Sequence, residues 1–329
     1  MSNPSISTFE ALSPDRVMDL VERTLNVRAE PVCRPLTSYI NRVYEVLLEN
    51  GQAVVVKFYR PGRWSLDALD EEHEFVFDLQ DADVPVVAPL LDTNGDSLFE
   101  ESKDLWCAIY PRRRGRPFED LDDAGWQQLG RTLARVHLAG DETVPENRLI
   151  WHPEEASQVH LDFILDHVES TDPDFCDRYE DAAAELLDAI SPLFDESVYT
   201  RIHGDMHSAN LMRRPDTKGI FLIDFDDMAF GPPVQDIWML LPDVVKNCPR
   251  ELQHLLHGYR QLREFDYDSL RWVEPLRAMR FIHFSAWCAQ QQADSARQRD
   301  PEFGNAAWWN RELASLCDQR ERIRDTLGL

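Results

Sequence analysis

The sequence predicts an α+β chain in two lobes. The smaller, N-terminal lobe carries an antiparallel sheet and one key helix, and the larger C-terminal lobe is mainly helical. Three observations predict this. Residues 43–48 and 52–59 read as strands on either side of Asn50-Gly51, a strong hairpin signal. From about residue 122 onward the apolar residues recur at helical spacing instead. Between the two regimes lies Pro111-Arg112-Arg113-Arg114-Gly115-Arg116-Pro117, which stops regular structure, so lobes over 1–111 and 112–329 are expected. A chain of 329 residues with 43% hydrophobic content is long enough to build two such lobes.

Charge narrows the function classes. There are 34 Lys and Arg against 60 Asp and Glu, a formal net charge of −26. So negative a surface repels phosphate backbones and anionic lipid, so neither a nucleic acid nor a membrane is expected as partner. The six cysteines, Cys33, Cys107, Cys176, Cys248, Cys288 and Cys317, form no Cys-x-x-Cys pair and read as reduced thiols of a cytosolic chain. Residues 1–10 lack a basic segment followed by an apolar one, so no signal peptide is expected there. No apolar run reaches membrane-spanning length.

In the N-terminal lobe, Val17, Leu20, Val21 and Leu25 mark a helix from about Asp15, with Ser13 as N-cap and Pro14 at N1. Residues 35–41 are polar and loop-like. In the return strand of the hairpin, Ala53, Val55, Lys57 and Tyr59 share one face, and Val54, Val56 and Phe58 the other. A lysine in so apolar a strand is costly unless it meets an anion. The helix expected over 65–80 carries Leu69, His73 and Val76 on one stripe, and Glu72 falls on that stripe. Glu72 is therefore the expected partner of Lys57, ahead of Glu71. Strand pieces are expected at 85–91 and 97–100 around Asn94-Gly95, and a short buried strand at 106–110. The arginines at 112–116 read as solvated and paired with the many carboxylates.

In the C-terminal lobe, Asp122 or Asp123 caps a helix carrying Trp126, Leu129 and Leu133 to near Gly140. Further helices are expected over 160–168, 178–190, 234–245, 270–292 and 308–326. Met279, Phe281, Phe284 and Trp287 read as core positions. Asp236, just after Gly231-Pro232-Pro233, is a helix cap or an anchor for a neighbouring loop.

The chemistry concentrates in His203-Gly204-Asp205-Met206-His207-Ser208-Ala209-Asn210 and Ile223-Asp224-Phe225-Asp226. Asp205 suits a carboxylate that accepts a proton from, or orients, a substrate hydroxyl. Asn210 lies on a short loop that can turn its amide oxygen to a metal. Asp224 follows the apolar run Phe221-Leu222-Ile223, as a second metal ligand at a buried strand end should. Mg²⁺ prefers hard oxygen ligands and keeps several waters, so two protein ligands suffice beside nucleotide phosphates. This is an arrangement for ATP and Mg²⁺ next to a nucleophile. Lys57 then meets phosphates, Glu72 orients it, and Tyr110 ends a hinge strand whose backbone faces adenine, with ATP between the lobes. His203 and His207 are spaced for zinc, but Gly204 argues against a helix there and no third ligand is evident. His203 is expected to pack and hydrogen-bond inside its loop.

The order Lys57, Glu72, Tyr110, Asp205/Asn210, Asp224 resembles the kinase-like phosphotransferases of the aminoglycoside and choline kinase group. The strings Thr37-Ser38-Tyr39-Ile40-Asn41-Arg42, Val55-Val56-Lys57-Phe58-Tyr59-Arg60-Pro61, Gly231-Pro232-Pro233-Val234-Gln235-Asp236 and Glu274-Pro275-Leu276-Arg277-Ala278-Met279-Arg280 resemble, more closely, the bacterial stress response kinase A family. The resemblance covers most of the chain and implies a bilobal protein-kinase-like fold. It further implies a cytoplasmic, monomeric serine/threonine protein kinase that uses ATP and Mg²⁺, is itself a phosphoprotein and acts on protein hydroxyls in stress response. In that family's pattern Ser38 contacts ATP from a nucleotide-covering loop, Asp205 is the proton acceptor, and Asn210 and Asp224 bind the metal. The rival within the group is a kinase for a small alcohol such as choline, homoserine or an aminoglycoside. The rival from another class is an ATP-binding regulator without activity, against which the intact Asp205/Asn210/Asp224 set argues. Three departures from eukaryotic-type kinases stand out. No Gly-x-Gly-x-x-Gly precedes Lys57, Gly204 stands where His-Arg-Asp has Arg, and Asp226 stands where Asp-Phe-Gly has Gly. Only eleven residues separate Asp224 from Asp236, too few for a long activation loop.

Overall fold

A computed structural model of the chain describes residues 9–117, 121–168, 173–214, 219–293 and 305–327; the expectation for residues 1–8 lies outside them. The chain forms two compact units. One comprises Met1–Leu121 with His207–Asp226, the other Asp122–Met206 with Asp227–Leu329. Residues 112–121 and His207–Asp226 thus group with the N-terminal sheet, whereas the sequence reading gave them to the C-terminal lobe.

The first unit is built on a five-stranded sheet of order β1-β2-β3-β5-β4, with every neighbouring pair antiparallel. Its strands are β1 (Ala29–Leu36), β2 (Arg42–Leu48), β3 (Ala53–Phe58), β4 (Phe99–Ser102) and β5 (Leu105–Pro111). Helix α1 (Pro14–Leu25) starts as its sequence predicts, with the Ser13 hydroxyl accepting the Arg16 amide at 3.4 Å. Its buried Val17, Leu20 and Val21 cover one sheet face, together with Val46, Val54, Val56, Phe58, Cys107 and Ile109. The other face of β3 and β5 packs Tyr59 and Ala108 against Leu69 of α2 (Leu66–Asp81). The period-two alternation of β3 therefore sends Lys57 to the α2 side.

Three expectations are corrected here. The hairpin loop has three residues, not two: Leu48 donates to the Gln52 carbonyl at 2.8 Å, and Gly51 closes the turn at φ +81°, where a side chain would be strained. Residues 35–36, read as loop, end strand β1. Residues 85–91 are not a strand, because Pro85 and Pro89 lack the amides a ladder needs. That segment instead bonds at isolated points: the Pro85 carbonyl accepts from Leu222, and Leu90 donates to the Ile109 carbonyl.

The first unit also holds a small antiparallel sheet of β6 (Arg116–Pro117), β8 (Leu211–Arg213) and β9 (Ile220–Leu222), in the order β6-β8-β9. The second unit contains β7 (Thr200–Ile202) paired with β10 (Ala229–Gly231). The same unit contains α3 (Asp123–Gly140), which packs on β7, and α4 (Gln158–Val168), α5 (Pro173–Ile190), α6 (Val234–Met239), α7 (Pro249–Tyr259), α8 (Val273–Ala293) and α9 (Ala306–Leu327). Asp122 caps α3, accepting from the Gly125 amide at 2.8 Å. Helix α6 ends at Met239, short of the helix expected to 245. Of the aromatic and Met positions on α8, Met279 is buried, but Phe284 is 42% exposed and stacks on Trp287 at 5.8 Å. The core reading does not hold for Phe284. Among the described residues no helix is long and apolar enough to cross a membrane.

Candidate active site

In the first unit the site is a buried ion cluster around Lys57. The residue is 8% exposed, and its ammonium lies 3.5 Å from Glu72, 3.1 Å from Asp224 and 3.2 Å from Asp226. Burial alone would lower the lysine pKa. The carboxylates of Asp226, Glu72 and Asp224 outweigh it and hold the lysine well above its usual 10.5, so it stays charged. Glu72, not Glu71, is the partner: it is 1% exposed, and the Tyr59 hydroxyl donates to it at 3.4 Å. Lys57 also lies over the Tyr59 ring, 4.8 Å from its centroid. Tyr110, paired with Val55 across β3 and β5, turns its hydroxyl inward to within 3.2 Å of the Tyr59 hydroxyl. Its side chain thus belongs to the packing behind the cluster.

The hairpin of β8 and β9 presents the two expected metal ligands. Leu211 pairs with Leu222, and the Ile223 amide donates to the Asn210 carbonyl at 3.1 Å. Asn210 and Asp224 therefore flank the same end of one hairpin. Asp224 takes a left-handed conformation, φ +64°, which Asp tolerates better than most residues. That turn lifts its carboxylate to 52% exposure. Next to it Phe225 is buried edge-on against Phe75 of α2, 5.9 Å between ring centroids, which ties the hairpin end to the helix that carries Glu72.

Asp226 is the surprise of this unit. It is 5% exposed, with Lys57 on one side, the Arg63 guanidinium paired to Oδ2, and the Asn41 amide donating to that oxygen at 3.3 Å. Asn41 Oδ1 in turn accepts the Arg60 amide at 3.2 Å. Where eukaryotic-type kinases have glycine, this chain ties the loop holding Ser38, between β1 and β2, to the end of the β8-β9 hairpin. The cluster sets two cations, Lys57 and Arg63, against three carboxylates, Glu72, Asp224 and Asp226. The half-exposed Asp224 carboxylate and the adjacent Asn210 amide are hard oxygen donors that fit Mg²⁺ bound together with phosphates. Among the described residues, no group of three or more His, Cys, Asp and Glu is placed to hold a metal ion by itself, at this cluster or away from it.

In the second unit the loop that carries Asp205 is fixed from behind. Asp236, fully buried, accepts the His203 amide at 2.9 Å and the Gly204 amide at 3.0 Å. Helix α6 has no side-chain cap, so Asp236 is the loop anchor rather than a cap. His137 lies 3.2 Å from the same carboxylate and 2.9 Å from the Tyr259 hydroxyl, to which Arg263 donates at 2.9 Å. Asp236 can only accept, so His137 gives it the Nε2 proton and Tyr259 donates to Nδ1. Burial lowers the His137 pKa, against the pull of Asp236, and keeps the ring neutral. Gly204 has φ +79°, and a Cβ there would lie 2.1 Å from the Asp227 carbonyl. No arginine can occupy that place. His203 is fully buried and its Nδ1 accepts the Asp205 amide at 3.3 Å, so it serves the loop as expected and is not arranged for zinc.

The sequence brought forward Lys57, Glu72, Asn210, Asp224 and Asp205, but missed Asn41, Arg63 and Arg280. Arg280 on α8 forms an ion pair with the Asp205 carboxylate. A signal was present for two of the three: Asn41 and Arg280 lie inside the family-like strings, and Arg280 is a charge on a helix otherwise rich in buried residues, whereas nothing in the sequence singled out Arg63. The arginines at 112–114 are exposed, with Arg112 bound to Glu45 at 2.6 Å, as the solvated reading expects.

These features are those of a kinase-type phosphotransferase: the chain belongs to the phosphotransferase enzyme family, whose model matches residues 32–273. Along nearly its whole length the chain is similar to stress response kinase A of Escherichia coli K12, 32% identical over 336 residues that span 98% of this chain and 97% of that one. Serine/threonine protein kinase RdoA of Salmonella typhimurium LT2 is 33% identical over 330 residues, with the same coverage of 98% and 97%. Among solved structures, the amicoumacin kinase hAmiN, in complex with AMP-PNP and Ca²⁺, aligns with a TM-score of 0.74 at 20% identity, covering 97% of this chain and 95% of its own. A microcompartment-associated aminopropanol kinase aligns with a TM-score of 0.68 at 20% identity, covering 95% and 98%. These two likenesses show the kinase-like fold.

Proposed function

We propose that this enzyme transfers the γ-phosphoryl group of ATP to serine and threonine hydroxyls of protein substrates, with Mg²⁺ as the metal. The observation that carries this reading is the Lys57 cluster: a buried ammonium aimed by Glu72 and set beside a half-exposed Asp224. Lys57 binds phosphate oxygens, as the strand lysine of kinases does. Asn210 and Asp224 hold the metal, which when bound neutralises charge on the phosphates. Ser38 contributes a hydroxyl from the loop between β1 and β2, and the backbone around Tyr110 meets adenine. Asp205 orients the acceptor hydroxyl and takes its proton. The protein acceptor is supported by the full-length relatives named as stress response and serine/threonine kinases. Monomeric action in the cytoplasm belongs to the same reading.

The test is incubation of the full chain with γ-labelled ATP and Mg²⁺, with a generic protein substrate in one arm and a panel of small alcohols in another. Label on protein serine or threonine supports the reading. Label on a small alcohol alone makes the enzyme a small-molecule kinase, and no transfer in either arm refutes both.

A further inference from the structure

Two devices hold Asp205. Asp236 fixes the loop backbone, and Arg280 holds the side chain. The Arg280 Nη2 is bound to Asp205 Oδ1, and its Nη1 lies 3.0 Å from Nδ1 of His283, one turn along the same helix. A guanidinium only donates, so His283 Nδ1 accepts and the ring is neutral on that edge. His283 is 8% exposed and held edge-on by Trp151, 5.8 Å between centroids, and by His160 at 4.6 Å. The guanidinium plane is thus set before any substrate arrives. Both members of the pair are largely buried, with side chains 22% and 18% exposed, so the contact is not a loose surface ion pair. With one arm on His283 and the other on Asp205 Oδ1, the planar guanidinium holds its donor to that oxygen in a fixed direction, as a lysine could not.

We propose that Arg280 is the positioning residue of the phosphoryl-acceptor step: it locks the Asp205 carboxylate in the rotamer that receives the substrate hydroxyl, and His283 locks Arg280. This rests on the reading of Asp205 as the residue that handles the hydroxyl. The ion pair holds the Asp205 carboxylate in one direction, so the contribution of Arg280 is to orient the group that meets the hydroxyl. Orientation is the larger demand where the transition state is loose and the proton leaves late.

The experiment measures phosphotransfer by the full chain in Asp205→Asn, Arg280→Met, Arg280→Lys, Arg280→Ala and the double variant Asp205→Asn/Arg280→Met. Asp205→Asn should lose about 10²–10⁴-fold in kcat. Arg280→Met should lose up to about 100-fold in kcat, the scale of a ~1 Å misplacement, with the KM for ATP and for acceptor held within about twofold. Arg280→Lys should recover only part of the loss. Millimolar guanidinium should raise the activity of Arg280→Ala but not of Asp205→Asn, a response that a purely structural role would not give. The double variant should be no slower than Asp205→Asn alone. Wild-type kcat in Arg280→Met, a loss confined to the acceptor KM, or losses that multiply in the double variant would each overturn the proposal. If Arg280→Met does not fold, Arg280→Lys decides, because it keeps the charge and loses the fork; full kcat there refutes the lock. Wild-type turnover in Asp205→Asn would instead refute the underlying reading of Asp205.

Discussion

Asp236→Asn changes one atom in the anchor of the Asp205 loop, and its cost can be worked from the contacts. One Asp236 oxygen accepts the Gly204 amide, and the other accepts the His203 amide and the His137 ring proton. An asparagine has one acceptor oxygen. Its better orientation keeps that oxygen toward His203 and His137 and turns the amide nitrogen against the Gly204 N–H. The Gly204 amide then loses its charged acceptor and stays buried and unsatisfied, a cost of about 1.5–3 kcal/mol. The two retained bonds also weaken, because their acceptor is no longer charged. A cost of at least about 1.5–3 kcal/mol is a sizeable share of the roughly 5–15 kcal/mol that separates a folded domain from its unfolded chain. Urea unfolding should show a lower midpoint, and turnover should fall at temperatures where the variant is still folded, because the loop that carries Asp205 loses its fixed backbone. A midpoint within about 1 kcal/mol of wild type together with unchanged turnover would refute the anchoring argument.

The Lys57 and Glu72 pair makes a second test. Lys57→Met should cost more in kcat/KM for ATP than Glu72→Gln, because without Glu72 the lysine keeps Asp224 and Asp226. The double variant should be no worse than Lys57→Met alone, a coupling of about 0.5–3 kcal/mol, and additive losses would mean that Glu72 acts independently. A third test is pH. The folded-state pKa of His137 lies below its usual 6.5, so the unfolded chain takes up the proton first. This contribution is therefore present above pH 6.5 and is lost as pH falls below it. Urea midpoints should decline on acidification from neutrality, and the decline should be smaller in His137→Gln; an identical decline would separate His137 from it.

Much of the site was legible because two periodicities converge on it. Period two places Lys57 with Tyr59 on the inner face of β3, and period 3.6 places Glu72 beside Leu69 and Val76 on the inner stripe of α2. Two residues of opposite charge so placed are brought face to face. The proximity of Asn210 and Asp224, the proposed metal ligands, was legible from spacing, since β8 and β9 bring them to the same end. What stayed hidden depends on contacts distant in the chain. Asp226 looks like one more acidic turn residue until Arg63 and Asn41 are seen beside it, 163 and 185 residues away. Arg280 meets Asp205 across 75 residues. Strand β1 was hidden by Pro31 and Pro35, which blur its pattern, and residues 85–91 misled because their apolar character comes with prolines that bar a ladder. Phe284 shows the limit of reading aromatics as core: it sits at helical spacing, yet stacks on Trp287 at the surface.

The most direct test of the central claim is calorimetry of ATP binding with and without Mg²⁺, on wild type and Asp224→Ala. If Asn210 and Asp224 hold the metal beside phosphates that Lys57 binds, Mg²⁺ should tighten ATP binding to wild type and should not tighten it in Asp224→Ala. Equal tightening by Mg²⁺ in the two proteins would contradict the account.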